Sequence, residues 1–506
     1  MRSTFHAIEV AKRSLFTEQA LLNTTGHNIA NANTPGYSRQ RVNLIESRPI
    51  EAPGLMRSNT PGQLGMGVEF TSITRIREQF LDDQYRNANR SLGSWSIQSD
   101  TLSKLETIFN EPSDSGIRTV FDNFWTSWTD LAKDPESVTG RKIVRENALA
   151  LVDAFNQTSK HLSDLSDDLT SNIATKADQI NSISTSIASL NDEIHRLESI
   201  GDNPNDLYDQ RDYLVDQLSQ LVNVTVVKNP EGYTVSTGGL TLVDGNQAGT
   251  VTSAALESEF AAGGLNGGEV AGLIISRDRY VKDYQDQLNA LADTLVNGEI
   301  TVTIPAGSTY QGATLSADQQ VTVKGINGLH KLGYLFTNPP TLAGDFFTSS
   351  SGPITAASIQ LNKAIADDPM QIATSMRTDA SGGTNETVKG NNTLANLMAG
   401  LKNTSFKFTA TSTGNGITTG TIDDFYASML GQLGVQSQEA TRQATNQQDI
   451  VSQVDSQRQS VSGVSLDEEM SDLIKYQHAY SAAARFMTTI DETLDRVING
   501  MGRVGL

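Results

Sequence analysis

The side chains here best suited to hold a metal or move a proton near neutrality are six histidines: His6, His27, His161, His195, His330 and His478. No two of them stand at i, i+3 or i, i+4, so no pair shares a helix face as helical zinc ligands do. His161 and His195 fall on polar helical stretches where a solvated imidazole is the simpler reading, and His478 sits beside an apolar seam. There is no cysteine, which removes disulfides, thiolate metal sites, iron–sulfur clusters and cysteine nucleophiles. The patterns G-x-x-x-x-G-K-[ST], H-E-x-x-H and G-x-S-x-G are absent. Gly65-Met66-Gly67-Val68 lacks the third glycine of a dinucleotide fingerprint and precedes a strand. Asp467-Glu468-Glu469 lies in a first helical turn, where the macrodipole accounts for it. Trp125 and Trp128 stand at core spacing. The sequence therefore assigns no catalytic residue, cofactor or metal, and the chain reads as a non-enzyme.

The elements that would position any site are helices first. Ile8, Leu15, Leu22 and Ile29 recur every seven residues, with Ala11 between, laying an apolar stripe along one face. Asn31-Ala32-Asn33-Thr34-Pro35-Gly36-Tyr37 stops that helix. Extended chain is expected over Tyr37 to Ile45, a loop over Pro49 to Gly67 and a strand over Val68 to Ile76. A second helix should run from Glu78 to Phe109, carrying Phe80, Trp95, Leu102, Leu105 and Ile108. A third carries Phe121, Trp125, Trp128 and Leu131. Asp134-Pro135 reads as the N-cap and first position of a helix reaching Ser199. Along it Ile173, Ile180, Ile187 and Ile194 form one seam series and Ile183, Leu190 and Leu197 the complement. Such a helix spans roughly 90 Å and must pack on others.

After a break at Gly201 to Asn205, Leu207, Leu214, Leu218 and Leu221 mark a further helix. Val222 to Thr252 reads as a β-hairpin unit, Val281 to Val296 as helix and Thr301 to Val323 as β structure. Asn327 to Pro353 is rich in Gly, Pro and Ser. Helix resumes near Ala356 and dominates beyond Ile422. Ser465 and Glu468 fit a capping box opening a helix that reaches Gly500. There Leu473, Tyr480, Met487, Leu494 and Met501 recur every seven residues, with Tyr476, Ala483, Ile490 and Val497 as the second series.

These patterns predict a mainly α protein with β-rich inserts: a long helical bundle or coiled coil formed by the N- and C-terminal segments, with smaller β-containing outer domains. The expected division is 1–75 together with 452–506 as a terminal core, and 76–225 with 268–297 and 357–451 as a long-helix bundle. A small β-hairpin unit at 226–267 and a variable β-rich insert at 298–356 complete it. An isolated amphipathic helix is marginal in water. Periodicity alone leaves open whether the end helices pair with each other, with neighbouring copies, or within an ordinary helical core.

A chain of 506 residues exceeds what one core usually supports. Its formal charge of −20 argues against nucleic acid or an anionic membrane as main partner. Met1 to Ala20 mixes Arg2, His6, Glu9, Lys12, Arg13 and Glu18 into its apolar pattern, so neither a cleaved signal peptide nor a membrane span is expected.

The two ends carry a resemblance. Leu22 to Tyr37 (LNTTGHNIANANTPGY) is similar to the N-terminal signature of the bacterial flagellar axial proteins, the rod, hook and hook-associated proteins. Ser462 to Met470 (SGVSLDEEM) and Tyr476 to Arg485 (YQHAYSAAAR) are similar to the matching C-terminal signature. Interior stretches narrow this to the hook-associated protein 1 family: Leu105 to Pro112, Phe124-Trp125 to Ser137, Asn205 to Val215, Gly267 to Leu273 and Asp345-Phe346-Phe347. The resemblance implies a structural subunit of the hook–filament junction, exported unfolded by the flagellar type III route without a cleaved signal peptide. Its partners would be copies of itself in a ring or tube, hook protein below, hook-associated protein 3 above, and a cytoplasmic chaperone at the C-terminal region. Interface residues are then expected at Ile8, Leu15, Leu22 and Ile29, and at Leu473, Tyr476, Tyr480, Met487, Ile490, Leu494, Val497 and Met501. The signature turn of Asn31, Asn33, Thr34, Pro35, Gly36 and Tyr37 is expected to be a flexible joint between inner helix and outer domains.

Overall fold

The structure, a computed structural model, describes residues 5–47, 65–110, 116–381, 385–408 and 417–500. Met501, Glu111, Pro112 and the loop from Pro49 to Leu64 lie outside the described residues. The chain begins with α1 (His6–Asn31), β1 (Gln40–Glu46) and β2 (Val68–Arg75), then α2 (Gln79–Phe109), α3 (Ile117–Lys133), α4 (Val138–Ser199) and α5 (Asn205–Leu221). Strands β3 (Thr225–Asn229), β4 (Gly232–Thr237), β5 (Leu240–Asp244) and β6 (Gln247–Ala248) follow. Next come α6 (Ser253–Ala261), α7 (Gly268–Ile275) and α8 (Lys282–Asn297), the last two joined by a π-helical segment, Ser276–Val281. Short elements fill the next stretch: β7 (Glu299–Ile304), β8 (Thr309–Tyr310), β9 (Ala313–Thr314), β10 (Gln319–Lys324), α9 (Gly325–His330), β11 (Phe347–Ser349), β12 (Ile359–Leu361) and α10 (Lys363–Asp367). They continue through β13 (Thr378–Asp379), β14 (Glu386–Thr387), α11 (Thr393–Gly400), β15 (Phe406–Lys407) and β16 (Thr419–Gly420). Two long helices close the chain, α12 (Ile422–Ser462) and α13 (Leu466–Gly500). The fold is mainly α with small β-containing insertions.

Local rules explain most boundaries, and a few expectations need correction. α4 starts at Val138 rather than at Pro135, because Asp134 to Ser137 form a turn and the Ser137 hydroxyl, not Asp134, accepts from a first-turn amide, Gly140 N at 3.1 Å. Among the described residues between Ala356 and Thr421 the brief α10 and α11 are the only α-helices, so sustained helix returns with α12. Phe80 lies 63% exposed, because Asp82 and Arg86 take the inward positions of early α2.

Contacts divide the chain into two compact units. The first comprises Met1–Gly93, Lys176–Glu269 and Asn446–Leu506. In it β1 and β2 form an antiparallel hairpin with a bulge between Asn43 and Leu44, and both strands pack on α1. α1 packs along α13. Asn191 hydrogen-bonds the four-stranded antiparallel sheet β3-β4-β5-β6 to the end of α4. Asn191 donates to Tyr233 O (3.0 Å) and Gly245 O (2.6 Å) and accepts from Tyr233 N (3.2 Å). The complement to the isoleucine seam of α4 is therefore Ala177, Ser184 and Asn191, all buried, while Ile183, Leu190 and Leu197 are half-buried. A polar residue holds that position because backbone edges of the sheet, rather than apolar side chains, face it.

The second unit comprises Ser94–Thr175 and Val270–Thr445. Its core is aromatic: Phe124, Trp125, Trp128, Phe346 and Phe347 meet at ring separations of 4.9–6.4 Å. His330 is fully buried beside them, accepting from Ala373 N at 3.1 Å while its Nδ1 bonds Gly344 O at 2.7 Å. Burial pushes its pKa down to about 4, so it is a neutral core residue.

Candidate assembly surface and the joint behind it

Helices α1 and α13 run antiparallel. Asn28, late in α1, meets Glu469 at the start of α13, and Glu18 lies near Lys475 and Tyr476 further along. The described seam residues differ in how far they are covered. On α13, Ala483 and Ile490 are buried, Leu473, Tyr476, Met487 and Leu494 half-buried, and Tyr480 and Val497 exposed. On α1, Ile8, Leu15, Leu22 and Ile29 are half-buried, and the deepest positions belong to Ala11, Thr17, Leu21, Thr24, Thr25 and Asn28. The pair still presents Phe5, Phe16, Leu466, Met470, Ile474, Phe486 and Ile498 to solvent. Apart from Leu466, which stands seven residues before Leu473, these residues fall off the heptad positions, so a search for period seven does not select them.

The signature turn carries a set of hydrogen bonds to α1 and to the segments around it. Thr34 N donates to Asn31 O (2.9 Å) and Tyr37 N to Thr34 O (3.2 Å). Asn31 caps α1 by donating to His27 O (3.1 Å), and Thr34 Oγ1 donates to Asn31 Oδ1 (3.1 Å). Tyr37 donates its hydroxyl to Asn28 Oδ1 at 2.7 Å and stacks edge-on against His27. Asn33, Thr34 and Pro35 form the exposed crest. Beyond it, Ser38 N and Oγ both donate to Asp209 at 2.8 Å. Arg39 Nε donates to Glu469 at 2.7 Å and Nη1 to Glu468 at 2.8 Å. Glu468 thus serves Arg39 across the chain. Gly36 sits at φ +79°, and a Cβ there would lie 2.8 Å from Tyr213 Cβ. Gly36→Ala combines left-handed strain with that collision. It should lower stability by about 2–4 kcal/mol, read as a shifted urea midpoint.

Behind the turn lies a buried ionic cluster: Arg75, Arg77, Arg86 and Arg458 with Asp82, Asp209, Asp212 and Asp216. Arg75 bonds Asp209 (2.8 Å) and Asp212 (2.7 Å), Arg77 bonds Asp82 (2.7 Å), and Asp216 receives Arg86 (2.8 Å) and Arg458 (2.5 Å). The arginines come from β2, the residues after it, α2 and α12, and three of the aspartates share one face of α5. Burial would raise the Asp212 carboxyl, but Arg77, Arg75 and Arg86 outweigh it and hold it at about 2. Burial prevails at Asp209, whose pKa is raised despite Arg75 and Ser38. Burial opposes the charge on Arg77, yet Asp212, Asp82 and Asp216 hold its pKa above the ordinary value. The sequence reading found α5 from its leucines, Leu207, Leu214, Leu218 and Leu221, of which Leu218 and Leu221 are buried. The i, i+3, i+7 spacing of Asp209, Asp212 and Asp216 was the signal for an ionic face.

Among the described residues no group of three or more His, Asp or Glu could hold a metal ion, and no helix is long and apolar enough to cross a membrane.

Residues 102–298 match the family described as "Flagellar hook-associated protein FlgK helical domain". The ends match two others: 8–37 the "Flagella basal body rod protein" family and 455–500 the "Flagellar basal body rod FlgEFG protein C-terminal" family. The first spans α1 and the signature turn, the second the end of α12 with α13. Flagellar hook-associated protein 1 of Bacillus subtilis (strain 168) is 35% identical over 521 residues, covering 99% of both chains. The Escherichia coli (strain K12) protein of the same name is 26% identical over 97% of this chain and 99% of its own. In fold, the chain is similar to the flagellar hook junction protein FlgK from Burkholderia pseudomallei, with a TM-score of 0.52 at 17% identity over 75% of this chain and all of that one. A likeness running the full length of both chains, with an ordered helical unit between two rod-type ends, leaves one assignment: this chain belongs to the flagellar hook-associated protein 1 family.

Proposed function

We propose that the chain is a structural, non-enzymatic subunit of the flagellum that forms the hook–filament junction. Full-length likeness to hook-associated protein 1 carries this reading. In it, α1 and α13 supply the contacts to other subunits, with the interface at Ile8, Leu15, Leu22, Ile29, Leu473, Tyr476, Tyr480, Met487, Ile490, Leu494, Val497 and Met501. Copies associate in a ring or tube, with hook protein below and hook-associated protein 3 above. Export by the flagellar type III route, with a cytoplasmic chaperone on the C-terminal region, places the subunit outside the cell. The exposed apolar residues of α13 give a chaperone a physical purpose, since that face is an aggregation hazard before assembly.

A rod or hook component is the second reading, favoured by the rod-type matches at 8–37 and 455–500. The helical domain at 102–298 argues for the junction. Deleting the gene and examining cells by electron microscopy separates the two. The junction role predicts complete hooks without filaments and flagellin free in the medium, reversed by the restored gene. A rod role predicts cells without hooks, and normal filaments would sink both readings.

A further inference from the structure

A cavity of about 340 Å³ opens in the first unit between the last turns of α4, the start of α5 and the β3–β4 hairpin. That volume lies at the small-ligand end of the range for binding sites. Its lining is cationic in a chain of net charge −20. Arg211 is only 5% exposed. Its Nη1 donates to Asn191 Oδ1 at 2.9 Å, and its guanidinium carbon lies 3.5 Å from the Tyr233 ring centroid. Its buried Nε has no acceptor. Among the described residues no carboxylate lies within ion-pairing distance of Arg211 or of Lys228, the second unpaired cation of the lining. Arg75 also lines the cavity, but Asp209 and Asp212 already neutralise it. The one lining carboxylate, Glu198, accepts the hydroxyl of Tyr208.

A buried guanidinium held by an amide and a ring, with Asp212 acting on it only at longer range and no carboxylate bonded to it, is an incomplete arrangement, because an ionised group out of water needs a bonded counter-charge. Nη1 is spent on Asn191, which leaves the edge formed by Nε and Nη2. Two parallel donors on one edge match the two oxygens of a planar carboxylate better than a spherical or tetrahedral ion. We propose that this cavity binds a small carboxylate, held side-on by Arg211 and drawn in by Lys228. The group is supplied either by a free organic acid or by an acidic side chain of a second copy of this chain.

Titration calorimetry of the full chain with succinate tests this, with sodium chloride at matched ionic strength as control. Saturable binding to succinate and none to chloride is expected. Arg211→Lys keeps the charge but loses the two-donor edge, and should weaken binding by at least about tenfold. Lys228→Gln removes an exposed charge outside the packed network and should weaken binding about threefold with an unchanged unfolding midpoint. The second variant keeps the test decisive if the first folds poorly. Succinate that weakens self-association of the wild type, measured by sedimentation, identifies a neighbouring copy as the source. Succinate that binds without effect on self-association identifies a free acid. Binding absent at saturating succinate, equal for inorganic phosphate, or unchanged in both variants overturns the proposal.

Discussion

Asp212→Ala should lower the stability of the first unit by about 3–5 kcal/mol, enough to remove a large part of the margin of an ordinary domain. The carboxylate sits between Arg75, Arg77 and Arg86, and its loss leaves three buried guanidinium groups short of counter-charge. Urea denaturation followed by circular dichroism reads the effect as a lower midpoint. An exposed aspartate such as Asp192 changed to alanine serves as control and should shift the midpoint little. The same group makes a prediction in acid. Its folded pKa of about 2 lies below the ordinary 3.8. A depressed carboxyl stabilises the fold fully above its unfolded pKa and loses that contribution as pH falls through the folded one. Stability should therefore fall between about pH 4 and pH 2 by roughly 2 kcal/mol from this group. Asp209, shifted upward, works in the opposite sense and blunts the fall. Asp212→Asn should flatten the profile in that window, and an unchanged profile would show that other carboxyls govern acid unfolding.

Met487→Asp should abolish filament growth while leaving the second unit folded. Met487 is half-buried on the α13 face that packs along α1, with Ala483 and Ile490 buried one turn to either side. An aspartate there must keep a charge in an apolar seam or strip the two helices apart, and neither leaves a surface on which subunits can pack. Met487→Leu keeps apolar character and approximate volume and should support normal filaments. Electron microscopy of complemented cells gives the readout, and limited proteolysis of the purified variant reports on the second unit. Normal filaments with the aspartate variant would remove this seam from the assembly.

The long elements were legible because they obey period seven and end at strong stop signals. The run Asn31 to Tyr37 stops α1, Ser465 is the last residue before α13, and helix dominates beyond Ile422, where α12 begins, though not from Ala356 as expected. The aromatic spacing of Phe121, Trp125 and Trp128 was read correctly as core for the same reason, with all three buried. The interior of α5 was not legible in this way. Sequence reading sends aspartate to solvent, and what brings Asp209, Asp212 and Asp216 inside is arginine supplied from β2, α2 and α12. Ser184 and Asn191 hid behind Ile183 and Leu190 on α4 for a related reason, since the partner of Asn191 is backbone of a sheet that lies forty residues and more further on. The assembly surface was half legible. The described seam residues are buried or half-buried on α1 and α13 except Tyr480 and Val497, which are exposed, whereas Phe16, Met470 and Phe486 fall outside any repeat.

The separation of contacts along the chain sets a timetable. Asn28 and Arg39 wait for Glu469, which comes 441 and 430 residues later, and Asp216 waits 242 residues for Arg458. At ribosomal speeds of about 5–20 residues per second, that first interval lasts roughly 20 to 90 s. Throughout it α1 is an unsupported amphipathic helix, and the aspartates of α5 lack one of their arginines. The second unit has no such wait for the final segment, since its residues end at Thr445. The last sixty residues therefore act as a clasp: a chain truncated before them lacks Glu469 for Asn28 and Arg39, Arg458 for Asp216, and the helix that covers the apolar stripe of α1.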